Sequence, residues 1–219
     1  MDNKIRPIPI KEIKKQLNDV KTDAINTHFV PFFEKLKDKY ILGTVNSKPK
    51  IKVFKLEKIE DFDNEVFDNS IGFYVILTDY KNGYDDNECT MRLKGDDFKN
   101  VKAIYRGEGG KVKLRLMSHL FNNTYVKDRM TDLNNKKKRP DNYVNCLKLV
   151  GKENKQGINI DEEELSQANW YIAFHTMSNS NQDIRKLAEE AFDIVFGKPI
   201  CSRENNNSDK KGLNEELEE

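Results

Sequence analysis

YRGEGGKVKLRLMSHLF, residues 105–121, sets a glycine-rich turn directly before a segment in which Val112, Leu116 and Leu120 recur at four-residue spacing. Leu114, Met117 and Phe121 widen the apolar stripe, so the spacing predicts a helix that packs through one face. Lys111, Arg115 and His119 share another face of it. The three glycines lack the lysine and serine or threonine of a nucleotide-binding phosphate loop, so the turn alone defines no site.

Working outward, VKAIYRGEGG (101–110) reads as a strand ending in glycines, and SIGFYVILTDY (70–80) as a buried strand rich in Ile, Val and Tyr. Between them KNGYDDNECTMRLKGDD (81–97) supplies Asn-Gly and Asp clusters typical of turns. The pair reads as a hairpin with a long polar excursion between its arms. WYIAFHT (170–176) is a third strand. After SNSN (178–181), which offers several N-cap residues, QDIRKLAEEAFDIVF (182–196) has apolar residues at 184, 187, 188, 191, 192 and 195, the pattern of an amphipathic helix. Gly197 and Pro199 end it in the expected order.

The chain has 219 residues, 37% hydrophobic and 34% charged, enough for one good core with additions. Lys and Arg (38) nearly cancel Asp and Glu (37), so net charge singles out no partner. Cys89, Cys146 and Cys201 fit neither a disulfide framework nor a zinc site. Neither a signal segment nor an apolar run long enough to span a bilayer is evident, and the expectation is a cytoplasmic protein with no membrane partner. Residues 1–68 are expected to form an N-terminal extension of unknown role, with helices in KEIKKQLNDV (11–20) and NTHFVPFFEKLKDKY (26–40) and a strand in KIKVFKLEKI (50–59). A basic insertion is expected at about 122–165, and a disordered tail at 206–219.

The order strand, strand, helix, insertion, strand, helix resembles the GIY-YIG nuclease superfamily over about residues 71–205. GFY (72–74) is similar to the first signature tripeptide and YRG (105–107) to the second. Arg115 lies eight residues beyond Gly107, the family's spacing for its arginine, and His119 follows one helical turn later, as in the type II restriction endonuclease branch. Glu190 precedes Pro199 by the nine residues that separate the family's metal-binding glutamate from a proline. Glu189 is the rival; on a helical wheel Glu190 lies nearer Ile194, which favours Glu190 as the residue flanking the packed stripe. Arg106 stands where the family has an apolar residue. The tyrosines are 31 positions apart, a long spacing similar to that of the restriction enzymes. Ser202 and Asn205 are the candidates for the asparagine that often follows the proline.

The resemblance implies an α+β fold, a small domain whose three-stranded antiparallel sheet is flanked by helices and carries the N-terminal extension and insertions. It implies a Mg²⁺-dependent (or Mn²⁺-dependent) endonuclease with one metal ion per active site, held by Glu190, cutting double-stranded DNA as a type II restriction enzyme. Tyr74 would take the proton of the attacking water, Arg115 would bind a phosphate oxygen, and Tyr105 and His119 would position nucleophile or phosphate. A palindromic target would imply a homodimer. A structure-specific or RNA-directed nuclease and a non-catalytic nucleic-acid-binding module are the alternatives. Charge distribution supports the nucleic-acid partner: residues 101–155 hold 14 Lys or Arg against 5 Asp or Glu. Arg106, Lys111 and Lys113 near the helix, and Lys136, Lys137, Lys138 and Arg139 in the insertion, are the expected phosphate contacts.

Overall fold

The computed structural model describes residues 8–38, 51–63, 67, 71–81, 89–91, 101–121, 123–124 and 158–202. Its centre is an antiparallel five-stranded sheet in the order β1-β5-β2-β4-β3, formed by β1 (Lys52–Leu56), β2 (Gly72–Thr78), β3 (Thr90–Met91), β4 (Val101–Gly109) and β5 (Trp170–Thr176). The fold is therefore α+β. The three expected strands form the middle of the sheet, and β1 and β3 extend it on either side. Every residue of β2 is buried, as an apolar strand between two covered faces requires.

Phe73, Val75 and Leu77 point to one face, where they pack with α2 (Val30–Asp38) and the long helix α5 (Gln182–Phe196). Tyr74 and Ile76 point to the other, against α3 (Val112–Leu120), Phe62 and Phe67. Phe33 of α2 meets Phe73, Phe192 and Phe196 edge-on at 5.4, 5.6 and 6.4 Å. The N-terminal segment thus contributes a strand to the sheet and a helix to the core. The short helix α4 (Glu163–Ser166) caps the end of the sheet, with Trp170 Nε1 donating to the Leu165 carbonyl at 2.9 Å. Ile158, Ile160 and Leu165, expected within the insertion, are core residues.

Helix α1 (Ile10–Ala24) runs into α2 through a π-helical turn at Ile25–Phe29, where the Val30 N–H bonds to the Ile25 carbonyl. Pro31 supplies the reason. It has no N–H to give to the preceding turn, and its ring needs space there, so the helix widens rather than breaks.

A bulge in the β2–β4 ladder decides which way the site faces. Tyr105 pairs with Ile76 but Ala103 pairs with Leu77, leaving Ile104 as the extra residue. The extra residue reverses the alternation of β4. Ala103 belongs to the α5 face, whereas Tyr105 joins Tyr74 on the α3 face and Arg106 and Glu108 turn toward α5.

Candidate active site

Tyr74 stands directly opposite Gly107, and a Cβ on residue 107 would lie 2.7 Å from both Cζ and the hydroxyl of Tyr74 and 2.8 Å from the Tyr105 ring. Only glycine leaves room for the Tyr74 ring to cross β4. Gly72 is constrained likewise, since a Cβ there would collide with the His175 carbonyl. The two tyrosine rings are 6.0 Å apart, and His119, buried on α3, meets Tyr105 edge-on at 4.9 Å and Tyr74 at 6.4 Å.

Arg115 enters this group from the first half of α3. Its Nη1 donates to the Glu108 carbonyl at 2.8 Å and its Nη2 to the Tyr105 hydroxyl at 3.4 Å. Its buried Nε and the buried Tyr74 hydroxyl meet no partner at hydrogen-bonding geometry. An unsatisfied buried polar atom is costly, and such atoms mark places where a ligand or water is accommodated. Burial opposes the charge on Arg115, but Tyr74, Tyr105 and Glu108 more than offset it and raise its pKa. Burial, reinforced by Tyr105, pushes the Tyr74 phenol well above its ordinary value, with Arg115 acting in the opposite sense.

The acidic residue that belongs to this group is Glu189. Its Oε1 lies 3.3 Å from Arg106 Nη1, and its charge is felt at Tyr74. Burial raises the Glu189 pKa; Arg106 lowers it, Glu108 raises it, and Arg115 lowers it. Glu190, the residue expected here, is exposed on the outside of α5. The expectation took Ile194 as the edge of the packed stripe, but Ile194 is 62% exposed and Ile184 is exposed too. The helix packs instead through Arg185, Ala188, Ala191, Phe192, Val195 and Phe196, which turns Glu189 toward the sheet. Tyr74 also differs from the expectation: at 0% exposure, it meets no water in this conformation, while Tyr105 is half-buried and reaches solvent.

Arg106 is committed within the protein rather than presented to phosphate. Its Nε and Nη2 donate to Asp193 Oδ1 and Oδ2 at 3.0 and 2.8 Å, a bidentate pair that fixes β4 to α5. Ser202 completes the same strand: its hydroxyl accepts from Arg106 N at 2.9 Å and donates to Arg106 O at 3.2 Å. Beside it, Glu108 and Arg185 form a buried ion pair at 2.7 Å, and Gln182 donates to the other Glu108 oxygen at 3.2 Å. The roles of Asp193, Glu108 and Arg185 were missed in the sequence. The available signal was the i, i+4 pair Glu189 and Asp193, two carboxylates on one helix face that demand a cation opposite.

Lys111 is exposed at the start of α3, and Lys113 pairs with Asp63 at 3.3 Å. Lys136, Lys137, Lys138, Arg139 and Asn205 lie outside the described residues. Among the described residues no cluster of three His, Cys, Asp or Glu could hold a metal ion unaided, and no helix is long and apolar enough to cross a membrane. Cys89 is a buried thiol whose pKa burial pushes up to about 12, which makes it inert.

No family model matches the chain, and neither a curated protein nor a solved structure resembles it to a significant degree.

Proposed function

We propose that the chain is a Mg²⁺-dependent endonuclease of the GIY-YIG type that hydrolyses double-stranded DNA, in the manner of a type II restriction enzyme. One observation carries the reading: Tyr74, Tyr105, Arg115 and His119 gather at one place on the sheet, with the carboxylate of Glu189 near enough to act on Tyr74 electrostatically. A phenol, a fixed guanidinium, an imidazole and a half-buried carboxylate are the groups phosphodiester hydrolysis needs.

Arg115 is held at two points, so the charge that develops on a phosphoryl oxygen beside it meets a guanidinium already in position. Tyr105 is the phenol that meets solvent. It orients the attacking water and is the group within reach to take its proton, with Arg115 touching the oxygen where negative charge develops. Tyr74, kept protonated by burial, acts as a hydrogen-bond donor behind the scissile phosphate rather than as the base. His119 packs against Tyr105 and fixes its ring.

Glu189 fits a single Mg²⁺ site. It is a half-buried carboxylate whose ionised form is under-compensated, and Arg106 gives its bidentate contact to Asp193 instead. Such a site has one protein carboxylate, with phosphate oxygens and waters supplying the other ligands, the usual manner of Mg²⁺ binding. A bound Mg²⁺ would neutralise phosphoryl charge and provide a metal-bound water as acid for the leaving oxygen.

A binding module without turnover is the second reading, favoured by the full burial of Tyr74 and the contact between Glu189 and Arg106. Incubating the protein with plasmid, linear duplex, single strands and RNA, with and without Mg²⁺, separates the two. Metal-dependent cuts in duplex DNA support the nuclease, whereas shifted but intact DNA under every condition supports the module.

A further inference from the structure

Where β4 packs on α5, Arg106 and Arg185 meet the carboxylates of Glu108, Glu189 and Asp193, and the sharing is unequal. Arg185 goes to one Glu108 oxygen at 2.7 Å, and Gln182 donates to the other at 3.2 Å. Arg106 gives Nε and Nη2 to Asp193 at 3.0 and 2.8 Å, which leaves Nη1 for Glu189 at 3.3 Å. Glu189 thus has a share of a cation committed elsewhere, and burial raises its pKa although Arg106 lowers it. The Arg106 and Glu189 side chains are only 15 and 17% exposed, so solvent and salt screen that contact weakly. Arg106 is also fixed in place. The Ser202 hydroxyl accepts from its backbone N–H and donates to its carbonyl, and the bidentate pair with Asp193 sets the plane of the guanidinium. The contact with Glu189 can therefore be given up without releasing the arginine.

We infer that Arg106 is an internal cation that competes with a divalent metal ion for Glu189, so that the site binds metal weakly until DNA arrives. The inference rests on the reading of Glu189 as the metal ligand and adds what regulates it. A guanidinium held against the carboxylate lowers the negative potential that would draw in a dication, and the carboxylate must leave that contact to become a ligand. DNA reverses the balance. Its phosphates bring both negative charge and ligand oxygens, the partners that Mg²⁺ takes alongside one or two carboxylates. Metal therefore loads together with DNA rather than before it.

Mn²⁺ titrated alone into the full chain, without DNA, tests it, with paramagnetic broadening of the amide signals around residue 189 as the readout. The deciding variant is Arg106→Gln/Asp193→Asn. It removes the competitor, keeps Asp193 from becoming a ligand in its own right, and leaves the net charge unchanged, so only the local contact differs. Two amides still join β4 to α5 by hydrogen bonding. Its Mn²⁺ dissociation constant should fall on the order of 10-fold below that of the wild type. Asp193→Asn alone does the reverse: it gives Glu189 the whole of Arg106 and should raise the constant, which decides the matter even if the double variant does not fold. A constant unchanged or raised in a folded double variant, or one for Asp193→Asn equal to or below the wild type, overturns the inference and leaves the metal reading standing. Broadening that survives Glu189→Gln, or that is missing from every protein, overturns the metal reading and this inference with it.

Discussion

Gly107 lies opposite Tyr74 in the β2–β4 ladder with no space for a methyl group between them, 2.7 Å from a would-be Cβ to the Tyr74 hydroxyl. The glycine and the tyrosine are therefore one device. Gly107→Ala must displace two rings that are wedged against α3, a strain of about 1–3 kcal/mol. Its thermal midpoint should fall by several degrees and its DNA cleavage should be lost. Gly110→Ala meets nothing within 4 Å and should melt like the wild type, which thermal denaturation followed by circular dichroism would check.

Glu189 and Asp193 both face Arg106, but they should respond oppositely to neutralisation. Asp193→Asn breaks the bidentate pair that joins β4 to α5 and should cost about 2 kcal/mol. Glu189→Gln removes a carboxylate that burial has already penalised, so its stability at neutral pH should equal or exceed that of the wild type. The sign of the pH dependence follows from the raised pKa. The protonated acid is favoured in the folded state, so the wild type is relatively most stable below the ordinary value of 4.5 and loses ground to Glu189→Gln as pH rises through the folded value. Urea titrations of both variants from acid to neutral pH measure this, and an Asp193→Asn protein as stable as the wild type would remove the strand-to-helix tie.

Strands β1, β2, β4 and β5 were legible, the apolar runs of β2 and β5 reporting burial directly, whereas β3 lies in a segment that reads as turns. Helix α5 was legible in its limits, from Asn181, whose side chain accepts from the Ile184 N–H, to Gly197. Its facing was not. A helical wheel equates apolar with buried, and here Ile194 is exposed while Arg185 is buried, because Glu108 on β4 provides a charge for it. That inversion leaves Glu190 exposed and turns Glu189 toward Arg106 on the sheet. The bulge at Ile104, which aims Tyr105, leaves no sequence pattern, and the use of Arg106 depended on Asp193, a partner 87 residues away.

Arg115→Lys keeps a positive charge but loses the planar fork that reaches the Glu108 carbonyl and the Tyr105 hydroxyl together. Turnover should fall on the order of 10²–10³-fold with little change in DNA affinity. Single-turnover cleavage set beside binding isotherms would show the split. Equal losses in both would make Arg115 a binding residue only.

Replacing Lys136, Lys137, Lys138 and Arg139 by neutral residues should weaken DNA binding and flatten its salt dependence, by about 0.9 in logarithmic slope for each phosphate no longer neutralised. Binding curves at several salt concentrations measure the slope. If it is unchanged, the DNA contacts lie elsewhere, and Lys111, exposed at the start of α3, becomes the next residue to substitute.

Cleavage of duplex DNA by the wild type, Glu189→Gln and Glu190→Gln, each with and without Mg²⁺, tests the central claim most directly. The account predicts metal-dependent cutting by the wild type and by Glu190→Gln, and a Glu189→Gln protein that is folded, binds DNA and does not cut it. A wild type that cuts no DNA with any divalent cation, or a Glu189→Gln protein that cuts as fast as the wild type, would contradict it.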